Sequence, residues 1–220
     1  MKQTKTFAIL GLGRFGTSIA KQLSEFGHDV IAIDKDMLCV ERLSDVVSFA
    51  VRADFTDLDQ LRQIGVADCD AAVVATGSHL EESILAVMNL KELGIPYVLA
   101  KAQNSKFQDV LLKIGADRVI RPEKEMGERV ARQLVAKNVV DLIDIDEEFS
   151  LIEIHCPQKW TKKSLKELNL RNQYGINVLG IRKNPNERLS ISPAADYVLD
   201  SQDQLMVIAD KKLIEKIESL

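Results

Sequence analysis

Short apolar runs alternate with longer stretches of helical periodicity through the first half of this chain. The runs are Phe7–Leu10, Val30–Asp34, Val46–Val51, Ala71–Ala75, Tyr97–Ala100 and Arg118–Ile120. Continuous Val/Ile/Ala runs, rather than alternating ones, mark strands covered on both faces, and strands spaced by amphipathic helices mark a parallel sheet. Four connections repeat one device: Phe26-Gly27, Ile64-Gly65, Leu93-Gly94 and Ile114-Gly115 each place a glycine after a helical stretch and shortly before a strand. Glycine there adopts the left-handed conformation that ends a helix, so the four dipeptides set the frame of the βα units. The expected fold is α/β, a Rossmann-type doubly wound parallel sheet of six strands.

The pattern changes after Ile120. From Pro122 to Lys137, Met126, Val130, Leu134 and Val135 recur at helical spacing behind a proline suited to a first helical turn. This amphipathic helix either packs on its own sheet or crosses to a second subunit. The segment Asp141–Phe149 is acidic and reads as a boundary near residue 145. Beyond it the chain predicts strands at Ser150–His155, Asn177–Ile181, Leu189–Ser192 and Leu205–Ala209, a short helix near Lys163–Leu168 and a closing helix from Lys211. The expected organisation is a Rossmann domain over 1–122, a crossover helix and linker over 123–145, and a smaller α+β domain over 146–220. The last is too small for the substrate domain of an ordinary dehydrogenase.

Composition narrows the function. The 220 residues are 46% hydrophobic and 28% charged, with a net charge of -4. That balance gives no general attraction to nucleic acid or anionic lipid. No apolar run approaches the roughly 18 residues that span a bilayer, and the start is too short in apolar residues for a signal peptide, which predicts a cytoplasmic protein. The three cysteines, Cys39, Cys69 and Cys156, lack metal or redox spacing and read as reduced filler.

The chemistry concentrates in Gly11-Leu12-Gly13-Arg14-Phe15-Gly16, a Gly-x-Gly-x-x-Gly loop between a predicted strand and a predicted helix. Gly11 permits the tight turn, Gly13 lets backbone approach a diphosphate, and Gly16 lets helix and strand pack closely, with the diphosphate at the positive end of the helix. Asp34, ending the second strand, suits ribose hydroxyls and disfavours a 2′-phosphate. Arg14 offers donors to further phosphates, which favours ATP or ADP over NAD, or it merely meets solvent at the helix start. Asp54 either accepts from an adenine amine or caps a helix near Thr56. Thr76-Gly77-Ser78 lies at the switch point where such sheets bind ligands. With Phe15, Lys35 and Lys101, these residues make up the candidate nucleotide site.

A hydride-transfer enzyme needs an acid or base and a substrate pocket besides its cofactor, and neither is visible. His28 and His155 read as structural, while His79 lies near the crevice. Gly-Lys-Ser/Thr phosphate-loop and Ser/His/Asp signatures are absent. Nucleotide binding without chemistry is the expected function. The rival is a small NAD(H)-dependent oxidoreductase or redox-sensing protein; a transcriptional regulator lacks a basic recognition helix.

Four segments carry a resemblance: Phe7-Ala-Ile-Leu-Gly-Leu-Gly-Arg-Phe-Gly16, Val98-Leu-Ala-Lys-Ala-Gln-Asn104, Lys113-Ile-Gly-Ala-Asp-Arg-Val-Ile-Arg-Pro-Glu-Lys124, and Leu170-Arg-Asn-Gln-Tyr-Gly-Ile-Asn177 with Ser192-Pro193. Along nearly its whole length the chain resembles the cytosolic gating subunits of Ktr/Trk-type potassium transporters, of the RCK family, with a TrkA-C-like second domain. The resemblance implies an octameric homo-oligomeric ring, peripheral on the inner face of the membrane through a potassium-translocating subunit. It implies ATP, ADP or NAD(H) in the Rossmann pocket, with Arg14 at the terminal phosphate of ATP. It also implies Glu123 at a nucleotide-linked Mg2+ or Ca2+ site between paired subunits; without it, Glu123 reads as an acidic residue complementing a helix N-terminus. For cyclic di-AMP between two C-terminal domains it implies Arg171 at the phosphates and Ile176, Asn177 and Pro193 lining the cleft. Asn177 departs from an all-apolar floor, and Arg171 has the alternative of an ion pair with Glu167.

Overall fold

The computed structural model describes residues 4–77, 79–135, 139–184, 187–210 and 212. The closing helix expected from Lys211, the turn residue Ser78 and the end of the helix expected to reach Lys137 lie outside the described residues. The chain divides into two compact units, 1–124 and 125–220.

The first unit runs β1 (Thr6–Leu10), α1 (Arg14–Glu25), β2 (Asp29–Asp34), α2 (Met37–Glu41), β3 (Phe49–Arg52), α3 (Leu58–Ile64), β4 (Ala71–Val74), α4 (Leu80–Glu92), β5 (Val98–Lys101), α5 (Ser105–Lys113) and β6 (Arg118–Ile120). Its six strands lie in the order β3-β2-β1-β4-β5-β6, and every neighbouring pair is parallel. The order reverses between β1 and β4, the position at which doubly wound sheets open a ligand crevice. Helices cover both faces. Ile9 and Leu10, adjacent on β1 and both fully buried, enter different cores: Leu10 packs with Val74, Leu90 and Val98, while Ile9 packs with Val30, Leu43 and Val73. Two cores on one strand are the physical reason that the run carries no polar alternation.

Gly65 closes α3 at φ 86° with its N–H donating to the carbonyls of Arg62 and Leu61, and Gly27, Gly94 and Gly115 share the positive φ. The third strand is shorter than its apolar run. Val46 sits in the turn after α2, donating to Leu43, so the strand starts at Phe49 while Val47 is still buried.

The second unit departs further from expectation. Val139–Asp144 is a strand, β7, antiparallel to β8 (Phe149–His155), rather than linker. The acidic stretch that suggested a boundary near 145 is the turn of this hairpin. Asp146 Oδ1 accepts from the N–H groups of Glu148 (2.8 Å) and Phe149 (2.7 Å), and Asp144 Oδ1 accepts from Ser150 Oγ at 2.8 Å. These aspartates hold backbone and hydroxyl donors, the usual work of Asx side chains in turns. Leu142 of β7 is buried with Ile152, Trp160 and Leu205.

The sheet continues with β9 (Asn177–Arg182), β10 (Ser190–Ile191) and β11 (Gln204–Asp210) in the order β10-β9-β11-β8-β7, all antiparallel. Two short helices, α7 (Leu165–Leu168) and α8 (Leu170–Tyr174), follow one another. Ser164 and Glu167 form a capping box at the start of α7. α6 (Pro122–Val135) spans the division between the units, and its Met126, Val130 and Leu134 are all exposed. Among the described residues no helix is long and apolar enough to cross a membrane.

Candidate functional site

The loop between β1 and α1 is shaped by glycines that serve different ends. Gly11 donates to Ile33 at 2.9 Å and holds φ at 95°, and a Cβ there would lie 3.0 Å from the backbone nitrogen of Thr76. At Gly16 a Cβ would fall 1.9 Å from the Gly11 carbonyl oxygen, so only glycine lets α1 start against the strand end. Gly13, the N-cap of α1, has φ -66° and nothing within 4 Å of a Cβ. Neither conformation nor crowding by the chain demands glycine at position 13; what a side chain would occupy is the cleft itself.

Asp34, the last residue of β2, reaches back to this loop. Its Oδ2 accepts from the Leu12 N–H at 2.6 Å and its Oδ1 from the Asp36 N–H at 2.9 Å. The carboxylate therefore ties the glycine loop to the β2 end while still lining the cleft.

That cleft, of about 950 Å³, opens at the C-terminal ends of the parallel strands. The structure brings together on it Gly11, Gly13, Arg14, Phe15, Asp34, Lys35, Thr76, Gly77, Lys101 and Glu123. Gly16 is not on its wall, being packed beneath the loop. Asp54 is not on its wall either. Its Oδ1 accepts from the N–H (2.9 Å) and hydroxyl (2.5 Å) of Thr56 and pairs with Lys35 at 3.3 Å, while the N-cap of α3 is Asp57. Asp54 closes a turn before the helix. Sequence reasoning missed Ser18, Phe55, Glu82 and Gln103, which also line the cleft. Phe55 and Gln103 lie just past the ends of β3 and β5, where the strand-end rule points. Ser18 is one turn beyond Arg14, and Glu82 sits in the first turn of α4.

Two lysines on the wall are held by acids. The Lys35 ammonium lies 3.2 Å from Glu82, 3.3 Å from Asp54 and 5.6 Å from the Phe55 ring centroid. Burial works against its charge, yet the hydrogen bonds it donates to Glu82 and Asp54 hold its pKa above the usual lysine value. Asp54 is partly buried as well, and Thr56 and Lys35 hold it below the usual carboxylate value. Lys101, with its side chain 15% exposed, pairs with Glu123 at 2.5 Å, and its ammonium lies 5.8 Å from the Phe15 ring centroid. The Lys101 hydrogen bond pulls the Glu123 carboxyl below its ordinary pKa. Arg14, the first residue of α1, is exposed on the wall and has no hydrogen bond or ion pair among the described residues. The first turn of α1 contains no acidic residue of its own, and the carboxylate nearest its start is that of Asp34 on the Leu12 N–H.

The metal reading of Glu123 finds no support within one chain. Among the described residues no group of three or more His, Cys, Asp or Glu could hold a metal ion, and the partner of Glu123 is a lysine. The histidines sort by environment. His28 Nδ1 accepts from the Lys5 N–H at 3.3 Å and its ring meets Phe7 edge to face, a structural role. His155 is exposed at the end of β8. His79 is 70% exposed, 3.9 Å from Glu82, and is not on the cleft wall.

In the second unit Arg171, Ile176 and Asn177 share a cavity of about 180 Å³. Pro193 does not join them; it lines another cavity of about 290 Å³ with Lys183 and Arg188. The alternative pair Arg171–Glu167 does not form: Glu167 Oε2 accepts from the Ser164 N–H at 2.7 Å, and the Arg171 guanidinium has no partner among the described residues.

Comparison with known proteins finds one family in each unit. The TrkA-N domain family matches residues 7–122 and the TrkA-C domain family residues 150–220. Ktr system potassium uptake protein A of Bacillus subtilis (strain 168) is 38% identical over 217 residues, covering 99% of this chain and 97% of that protein. Ktr system potassium uptake protein C of the same organism is 40% identical over 214 residues, covering 97% and 96%. A structure of the GsuK channel bound to NAD covers 100% of this chain and 40% of that one, with a TM-score of 0.67 at 17% identity, a likeness of fold.

Proposed function

The chain belongs to the TrkA-N/TrkA-C family that includes the Ktr system potassium uptake proteins, and from that premise we propose that it is a nucleotide-binding regulatory subunit of a potassium uptake system. The observation that carries the nucleotide reading is the glycine-walled cleft at the α1 N-terminus, with Asp34 and the unpaired Arg14 on the same wall. Backbone N–H groups and the helix dipole suit a diphosphate, a carboxylate at the β2 end suits ribose hydroxyls, and a free guanidinium suits a further phosphate. ATP and ADP fit this set. NAD(H) shares the diphosphate and ribose groups but makes no use of Arg14 as a terminal-phosphate ligand.

As regulator, the subunit acts by population shift: nucleotides with different affinity for two arrangements of a homo-oligomeric ring bias that ring, and the ring biases a membrane potassium-translocating partner. An octameric ring on the cytoplasmic face, peripheral to the membrane, is the arrangement we infer. The exposed Met126, Val130 and Leu134 stripe of α6 supplies an apolar surface suited to pairing subunits. The cavity of Arg171, Ile176 and Asn177 supports a phosphodiester ligand of the cyclic di-AMP kind. At about 180 Å³ it accommodates only part of such a molecule, so the remainder would rest on a second copy.

A thermal-shift titration with ATP, ADP, NADH and cyclic di-AMP tests the reading, because a ligand that prefers the folded state raises the midpoint. Stabilisation by ATP and ADP is expected. Stabilisation by NADH alone would overturn the ATP/ADP reading in favour of redox chemistry.

A further inference from the structure

The covalent order of a nucleotide, phosphate then ribose then base, fixes where each part falls once one end is placed. With the phosphates at the α1 N-terminus and the ribose at Asp34, the base falls beyond Asp34. Lys35 follows Asp34 in the chain, and its ammonium meets Glu82 at 3.2 Å and lies 5.6 Å from the Phe55 ring centroid. All three side chains line the cleft, with Phe55 buried in the core behind the two charges. Of the two carboxylates that hold Lys35, only one is open to a ligand. Asp54 is off the wall, and its Oδ1 is engaged by Thr56 and Lys35. Glu82 is on the wall, with its side chain 33% exposed. Its Oε1 takes the Lys35 ammonium, whereas its Oε2, 3.9 Å from His79 Nδ1, accepts no hydrogen bond among the described residues. One oxygen is fixed by an ion pair, and the other keeps its lone pairs for a donor.

We propose that Glu82 is the base-reading residue of the cleft: its Oε2 accepts from the exocyclic amine of adenine and so selects 6-amino purines over 6-oxo purines. The inference rests on the nucleotide reading above. Adenine carries at position 6 a donor flanked by an acceptor nitrogen on either edge, N1 and N7. A carboxylate beside an ammonium complements that pair on both edges, the carboxylate taking the amine and the ammonium a ring nitrogen. Guanine and hypoxanthine carry an oxygen at position 6, which sets two acceptors against each other in a partly shielded corner. A site built to bond one group rejects an analogue that leaves its own polar atom unpaired. Lys35 fixes the carboxylate rather than reading the base, since two of its three donors are spent on Glu82 and Asp54. An acidic residue in the first turn of α4 also suits the helix dipole, but that role is blind to the base.

The test is the affinity of the full chain for ATP, ITP and purine riboside triphosphate by calorimetry, for the wild type, Glu82→Gln and Lys35→Met. The wild type is expected to bind ATP about tenfold tighter than ITP, the scale of one charge-assisted bond lost and an acceptor left unpaired. Purine riboside triphosphate, with hydrogen at position 6, is expected to fall between them, because it loses the amine but meets no repulsion. Glu82→Gln presents an amide that turns either its oxygen or its NH2 to position 6, and is expected to bring ATP and ITP within about threefold, chiefly by tightening ITP. Lys35→Met is expected to keep ATP ahead, because an ammonium donates to a 6-oxygen and its loss penalises ITP. A Glu82→Gln protein with the wild-type ratio of ATP to ITP would leave Glu82 its helix role alone and overturn the proposal. Loss of the preference in Lys35→Met would overturn it too, by making the ammonium the reader. Should either variant fail to fold, the wild type decides: purine riboside triphosphate bound as tightly as ATP overturns the amine contact. If the wild type binds none of the three, the nucleotide reading falls and the base reading with it; equal binding of all three overturns the base reading only.

Discussion

Asp34 Oδ2 accepts a 2.6 Å hydrogen bond from the Leu12 backbone N–H, across 22 residues of chain. The residue expected to touch ribose thus also braces the loop expected to touch phosphate. Asp34→Ala orphans a partly buried N–H, which costs about 1–3 kcal/mol. The expected outcome is a lower urea midpoint together with lost nucleotide affinity. Asp34→Asn keeps an acceptor and is expected to retain most of the stability. An Asp34→Ala protein as stable as wild type would show that the brace contributes nothing.

The glycines of the loop separate folding from binding. Gly16→Ala places a Cβ 1.9 Å from the Gly11 carbonyl, so backbone must shift. Overpacking of this kind costs about 1–3 kcal/mol or more. Gly13→Ala meets nothing of the chain within 4 Å and is expected to change stability by less than about 1 kcal/mol, the scale of an N-cap exchange. Its effect is expected on nucleotide affinity, by about tenfold or more. Chemical denaturation beside calorimetric titration of both variants checks the contrast.

Arg14 has no intramolecular partner among the described residues, so Arg14→Ala is expected to leave the melting temperature of the ligand-free protein unchanged within about 1 °C, as surface substitutions usually do. ATP affinity is expected to fall more than ADP affinity, by about tenfold against twofold, as the loss of one charge-assisted contact to the last phosphate predicts. Equal losses for both nucleotides would place Arg14 elsewhere than at the terminal phosphate.

Asp117 ties the α4–α5 side of the first unit together: its Oδ2 accepts from the Val98 N–H and from Lys91 Nζ, both at 2.6 Å. Burial opposes its charge, but those two donors hold its pKa below the usual value. A depressed folded pKa means that the carboxylate adds stability above the unfolded value, near 3.9, and that this stability is lost as pH falls through the folded value. Asp117→Asn is therefore expected to be less stable than wild type at pH 7, with the gap closing below about pH 4. Urea denaturation at the two pH values measures it.

The hairpin of β7 and β8 makes a prediction about fragments. A fragment 146–220 lacks β7, leaving β8 without its neighbour and removing Leu142 from the core of Trp160 and Leu205. It is expected to melt earlier than a fragment 125–220, or not to fold cooperatively. Equal melting of the two would show that β7 is dispensable.

The nucleotide domain was largely legible in the sequence because its signals are local. A parallel strand buried on two faces must be apolar throughout, as Ile9 and Leu10 show by entering separate cores. A helix end that turns left-handed must be glycine or nearly so, as at Gly65. The second unit was less legible because acidic residues carry no label for their use. Asp144 and Asp146 look alike as linker residues and as turn acceptors, and only the strand that Phe149 begins decides between them.

For the cleft, the sequence determined the glycine loop, Asp34 at the end of β2 and Arg14 at the start of α1. Each follows from backbone conformation or helix position within a few residues. What only the tertiary structure decided is which charges are free. Lys35 meets Asp54 and Glu82 from positions 19 and 47 residues away, Lys101 meets Glu123 from 22 away, and Arg14 meets no partner among the described residues. An ion pair depends on where strand ends converge in space. Strand order in a doubly wound sheet, not sequence spacing, sets that convergence.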